Sequence, residues 1–353
     1  MPNLRAVAAE AGVSIATASR ALSGHPRVAK DTRDRVMAAA TTVGYRPNVA
    51  AQALKNNRSM LIGLLLPGVT SYFYAEVSSR IQEVLRPRGY EVILCLHQED
   101  PTLERQHLLR LLDYQVAAVV HTPTGDRSAH SIYTELGLRI PYVVEVNRHS
   151  SDGTTDAICC TDEESVHQLT RNLIDHGHTR IGMITAKPRE STARERLAGF
   201  QAAVSEGGIA FNDGLVAAGE YTEEWGHDGL LRLLGQSNPP TAVIIPANVL
   251  VLGALRAVSE LGLEIPEDFS LVTFSDFPWH SVYRPPLTSM QRPHEEMADA
   301  VCSLIAAHAG NVQGAYRSTG ILRLPGELKI RASVRTLGRG STVRHNSELE
   351  ENR

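Results

Sequence analysis

The sequence predicts an all-α helix-turn-helix head followed by an α/β body of two doubly wound parallel-sheet lobes. Three observations carry that prediction. Residues 4–22, LRAVAAEAGVSIATASRAL, read as two short amphipathic helices joined across a glycine turn. From residue 60 onward, strand-sized apolar runs alternate with helix-length segments, the pattern of a parallel sheet covered on both faces. RIGMITAK at 180–187 echoes MLIGLLLPG at 60–68, so the body divides into two similar halves. At 353 residues and 42% hydrophobic content, the chain is long enough for two or three packed domains.

In the head, Leu4, Val7, Ala8 and Ala11 share one helix face, and Gly12 and Val13 break the pattern. Ser14 is an N-cap for a second helix to about Leu22. That helix turns Ile15, Ala16 and Arg20 outward, with Thr17, Ala18 and Leu22 toward the core. A third helix covers 30–43, with Val36, Ala39, Ala40 and Val43 on one face and Gly44 as its stop. Pro47 disfavours helix before it, and Asn48 can cap a short helix after it. Residues 49–56, VAAQALKN, make only about two turns, a length marginal alone in water, and Leu54 is their one large apolar side chain.

Charge separates head from body. Residues 1–60 hold nine Lys and Arg against three acids, a surplus of six; the whole chain is at −4, which leaves −10 for the rest. A basic head on an acidic body points to phosphate as the head's partner.

In the body, a buried strand at 60–66 leads to a helix over 75–88, ended by Gly89. The spacing then predicts strand 91–96, helix 101–114, strand 116–121, helix 127–138 and strand 142–146. The cycle restarts with helix 163–176, strand 180–185, helix 192–206, strand 214–218 and helix 223–234. Strand 242–245, helix 248–261 and strand 270–274 come next. Helix 294–308 and strand 316–324 return to the first lobe, and LKIRASV at 328–334 to the second. The polar residues 336–353 read as a disordered tail.

The motifs of several enzyme classes are missing. No GxxxxGK[ST], strand-linked GxGxxG, HExxH or GxSxG occurs, and no cofactor is expected. His176 and His178 have no further ligand nearby in sequence, so no metal is expected. Glu163–Glu164 and Glu295–Glu296 fall at helix starts, where the dipole favours them. The four cysteines lack CxxC spacing and read as reduced, buried thiols of a cytoplasmic protein. No leader peptide or bilayer-length apolar run is legible, which argues against a membrane partner. Two α/β lobes enclose a cleft at the carboxyl ends of their strands, so the body reads as a ligand-binder. A solute-binding protein without a DNA role is the alternative; it would lack the basic head and carry a leader.

Taken together, the chain resembles the LacI–GalR family of transcriptional repressors over residues 3–335. The resemblance rests on VAAEAGVSIATASRALSG, RVMAAATTVGYRPNVAAQAL, LIGLLLP, HGHTRIGMI, ERLAGFQAA and RPPLTSM. It implies a DNA-binding domain at 1–47, a hinge helix at 48–58 and an effector-binding, dimerising domain at 59–335. Lobe 1 would be about 59–160 with 292–324, and lobe 2 about 161–291 with 325–335. The body would resemble periplasmic sugar-binding proteins. The partners implied are near-palindromic double-stranded operator DNA, a sugar-like small-molecule effector and a second copy of the chain.

Carried over by position, the DNA contacts are Ser14, Ile15, Ala16, Thr17, Ser19, Arg20, Asn48, Ala53, Leu54 and Lys55. Arg20 can bond a guanine edge, Ile15 and Ala16 offer apolar contact, and Leu54 falls on the wedge that kinks the duplex. The effector contacts implied are Ser71, Phe73, His121, Asn147, Arg196, Tyr221, Ala247, Asn248, Ser275 and Asp276. Three positions depart from the family: Asn147 and Ser275 replace aspartates, and Ala247 replaces an asparagine. With fewer acceptors around Arg196, a phosphorylated, acidic or otherwise modified sugar is expected over a free hexose.

Overall fold

A computed structural model describes residues 3–22, 25, 27–45, 59–125, 133, 142–150, 155–308 and 320–338. The chain forms two compact units, Met1–Ser59 and Met60–Arg353.

The first unit holds helices α1 (Leu4–Glu10), α2 (Ile15–Leu22) and α3 (Lys30–Val43). Asn3 Oδ1 accepts from Ala6 N at 3.0 Å and starts α1; Ser14 Oγ accepts from Thr17 N at 3.1 Å and starts α2. Gly44 stops α3 at φ 68°, a left-handed cap that a side chain would strain. Val7, Ala8, Ala18, Ala21, Val36, Ala39 and Ala40 form the core. These side chains are small, so the three helices approach closely around little apolar area.

The second unit carries two six-stranded sheets. The first contains β1 (Leu61–Leu66), β2 (Glu91–Leu96), β3 (Ala118–His121), β4 (Tyr142–Val146), β5 (Asp156–Cys160) and β11 (Ile321–Leu324). Its order is β11-β5-β4-β3-β1-β2, all parallel. Helices α4 (Tyr72–Leu85), α5 (Pro101–Asp113) and α11 (His294–His308) cover it. The second sheet contains β6 (Ile181–Ala186), β7 (Val216–Gly219), β8 (Ala242–Ile245), β9 (Ser270–Phe274), β10 (Thr288–Gln291) and β12 (Glu327–Lys329). Its order, β12-β10-β9-β8-β6-β7, repeats that of the first, with β12 antiparallel to β10. Helices α6 (Asp162–Asp175), α7 (Ser191–Glu206), α8 (Glu223–Leu234) and α9 (Asn248–Glu260) pack on it, and the short α10 (Pro278–Val282) lies after β9.

The predicted fold class is therefore present in both its parts. The chain leaves the first lobe between β5 and α6, returns between β10 and α11, and crosses again between β11 and β12. Helices α8 and α9 touch backbone to backbone. A Cβ on Gly226 would lie 2.0 Å from Leu250 O, and one on Gly253 1.8 Å from Glu223 O. This contact fixes where α9 begins, and hence Asn248.

Several elements differ from expectation. β5, β10 and α10 were not anticipated. β5 offers only DAICC, and β10 is the polar TSMQ, yet Thr288 and Ser289 are fully buried. Ser333 supplies the reason: its Oγ accepts from Thr288 N at 2.8 Å, and Ser289 Oγ donates to Asp276 at 2.6 Å. α4 starts at Tyr72, three residues before the apolar pattern does. Leu337 N donates to His176 O at 2.8 Å, which ties residues after 335 to α6. The helix expected over 127–138, the hinge 48–58 and residues 339–353 lie outside the described residues, Tyr133 excepted. Among the described residues, no helix is long and apolar enough to cross a membrane.

Candidate functional site

The candidate effector site gathers where strands of both lobes end, the position at which open α/β sheets bind ligands. Phe73 and Tyr74 come after β1, and Asn147 and Arg148 after β4. Glu190 comes after β6, Tyr221 after β7, Ala247 and Asn248 after β8, and Ser275 after β9. Asp162 and Arg292 stand on two of the crossovers. Asn147 and Ser275 occupy equivalent places in the two lobes, and both adopt φ 71°. Non-glycine residues held in this region store strain that the surrounding structure must offset, a trait of ligand sites.

Charge is arranged in pairs. Arg148 reaches Glu99 with two bonds of 2.8 Å and lies 5.4 Å from the Tyr221 ring centre. Arg196 Nε donates to Asp162 Oδ1 at 2.6 Å and its Nη1 to Pro246 O at 2.7 Å. Both partners of that ion pair are buried; burial opposes the Arg196 charge, and Asp162 together with Tyr221 and Cys160 holds it. Arg292 lies 3.7 Å over the Phe73 ring and 5.8 Å from that of Phe274, and its Nη2 bonds Asn147 Oδ1. Asn147 Nδ2 in turn donates to Tyr74 Oη at 2.7 Å. Burial pushes the Arg292 guanidinium down and the Glu190 carboxyl up.

Five buried polar atoms of this site have no hydrogen-bond partner among the described residues: Arg148 Nε, Arg292 Nε, Asp162 Oδ2, Glu190 Oε2 and Asn248 Oδ1. Only four others are found elsewhere in those residues. Buried groups of this kind are normally satisfied, so their concentration here marks a surface built for something else to bond.

Of the effector residues expected from the sequence, Phe73, Asn147, Arg196, Tyr221, Asn248 and Ser275 lie in or against this arrangement. Ala247 precedes α9 in extended backbone, and half-buried Ser71 precedes α4 without a side-chain cap bond. His121 and Asp276 are engaged elsewhere. His121 is fully buried, with Nε2 at 2.9 Å from Glu104 and Nδ1 against the Tyr133 hydroxyl. Burial would raise the Glu104 carboxyl, but the His121 and Thr124 hydrogen bonds hold it at about 2. Asp276 takes two 2.7 Å bonds from Arg331. Arg292, Asp162, Glu190 and Tyr74 were not anticipated. Asp162 opens an acidic run that reads as a helix start, and Arg292 comes after a strand too polar to register.

On the head, Ile15 is 46% exposed, and Ala16 and Arg20 are also exposed along α2. Thr17 and Ser19 are half-buried, and Ser14 Oγ lies 2.9 Å from Thr17 Oγ1. An exposed isoleucine and an exposed arginine on one helix offer apolar and cationic groups suited to base edges. Asn48, Ala53, Leu54 and Lys55 lie outside the described residues.

Known proteins share both units. The profile described as "Bacterial regulatory proteins, lacI family" matches residues 3–48, and "Periplasmic binding protein-like domain" matches 170–334. The HTH-type transcriptional repressor PurR of Haemophilus influenzae is 29% identical over 96% of this chain and 100% of its own. The HTH-type transcriptional regulator GalR of Escherichia coli is 31% identical over 88% of this chain and 90% of its own. The chain belongs to the LacI family. As a LacI-family protein it is a DNA-binding transcriptional regulator with an effector-binding body. The crystal structure of the lac repressor dimer bound to operator and the anti-inducer ONPF has the same fold. It superposes with a TM-score of 0.82 at 23% identity, covering 94% of this chain and 99% of that one.

Proposed function

We propose that this LacI-family regulator represses transcription as a homodimer on a near-palindromic operator, with its operator affinity set by a small carbohydrate-like effector held between the lobes. It works in the cytoplasm, on the nucleoid, without membrane, metal or cofactor, and catalyses no reaction. The observation that carries the reading is the convergence of unpartnered buried donors and acceptors at the strand ends of both lobes. A ligand rich in hydroxyl groups can bond donors and acceptors together, and aromatic faces such as Tyr221 suit a sugar ring. Ile15, Ala16 and Arg20 read bases, Ser14, Thr17 and Ser19 support them, and Asn48, Ala53, Leu54 and Lys55 engage the minor groove. Phe73, Asn147, Arg196, Tyr221, Asn248 and Ser275 are the effector contacts, with Ser71 and Ala247 at the rim.

One head reads only a few base pairs, so a symmetric pair is required to read a palindrome. Selection from a random duplex pool should therefore return two inverted half-sites, with affinity for the selected duplex at least about tenfold above a scrambled one. Equal affinity for the two duplexes contradicts the proposal.

A further inference from the structure

Among the described residues, Arg292 is the one arginine of the site with no carboxylate hydrogen-bonded to it. Glu99 is taken by Arg148, and Asp162 Oδ1 by Arg196. Arg292 is 6% exposed, its Nε has no partner among those residues, and its Nη2 meets the neutral amide of Asn147. An aspartate at 147 would have the same shape and would neutralise it; the chain carries the amide instead. Phe73 at 3.7 Å and Phe274 at 5.8 Å hold the guanidinium plane in place, but an aromatic face does not replace a counter-charge. Burial presses hardest on its proton and Arg196 adds to that, and the attraction of the Asp162 carboxylate, already bonded to Arg196, does not make up the difference. A buried guanidinium with no carboxylate bonded to it destabilises the free protein.

We infer that the effector carries an oxyanion, a carboxylate or a phosphoryl group on a hydroxylated carbon skeleton, and that Arg292 is its seat. The inference rests on reading the cleft as the effector site. The planar fork of Arg292 bonds the oxyanion, while Asp162 Oδ2 and Asn248 Oδ1 accept from hydroxyls of the same ligand. Arg196, committed to Asp162, is then a hydroxyl contact and not the anion's partner.

The test uses the full-length chain, with thermal unfolding and calorimetric titration at fixed ionic strength. The probes are sulfate, inorganic phosphate, gluconate, glucose 6-phosphate and glucose. Sulfate or phosphate should stabilise the wild type saturably, and Arg292→Gln should weaken that binding about 10- to 100-fold. Arg292→Lys, which keeps the charge but not the fork, should recover part of it. The free Arg292→Gln protein should melt higher than wild type, by about 2 °C or more. Gluconate binding above glucose 6-phosphate assigns a carboxylate, and the reverse order a phosphoryl group. Three results overturn the inference: no saturable anion effect, an anion effect untouched by Arg292→Gln, or a lowered melting temperature in free Arg292→Gln. If glucose binds and Tyr221→Ala abolishes that binding while anions do nothing, the oxyanion fails and the cleft stands. If anions bind and neither Arg292→Gln nor Tyr221→Ala affects them, the cleft reading fails as well.

Discussion

Operator affinity is expected to fall roughly 10³- to 10⁵-fold as salt rises from about 50 to 200 mM, the range for six to ten phosphate contacts. The first 60 residues carry nine Lys and Arg against three acids, and the proposed dimer would present two such heads to one duplex. Each neutralised phosphate releases condensed counterions, so log affinity falls linearly with log salt. Arg20→Ala should act differently. Arg20 lies exposed on α2. Its loss should cost about 1–3 kcal/mol and relax the preference at one base pair. Fluorescence anisotropy against salt, for wild type and variant, measures both effects. An affinity that changes less than about tenfold over that range would place the head's charge off the duplex.

Asp162→Ala should destabilise the body by about 3–5 kcal/mol, because it strands the buried Arg196 charge. The pair is short, at 2.6 Å, with side chains only 7% and 1% exposed. Asp162 is also the first residue of α6, where a carboxylate favours the helix dipole. Removing both charges together, as Asp162→Leu with Arg196→Leu, should cost far less than the single change, since no uncompensated ion remains. Denaturant unfolding of the single and double variants decides it. A single-variant loss below about 1 kcal/mol, the range of exposed pairs, would mean that solvent reaches this pair and that the site is wetter than its burial implies.

How much of this was legible depended on whether apolar pattern or polar pairing set the structure. Runs such as LIGLLL and AVII are buried on both faces and alternate with amphipathic helices, so both lobes could be read from the chain. Strand β10 could not, because TSMQ is buried through hydrogen bonds to Ser333 and Asp276, partners distant in sequence. The site obeyed the same rule. Positions at strand ends were found, but which groups would be consumed internally was invisible. Asp276 is taken by Arg331 from the antiparallel strand's end, and His121 by Glu104 and Tyr133. Arg196 stood out as the cationic fork in the sequence, yet only the fold brings Asp162 to it and leaves Arg292 with an amide. Charge pairing across crossovers is a tertiary fact with no local signature.

On the proposed function, occupancy of the cleft sets operator affinity. The most direct measurement is operator binding by the full-length chain, without ligand and then with a ligand that calorimetry shows saturating the cleft. Coupling between the sites predicts a change of roughly 5- to 150-fold in either direction. Tyr221→Ala should lose that response while its ligand-free operator affinity stays within about threefold of wild type. Operator affinity identical with the cleft empty and saturated would contradict the account.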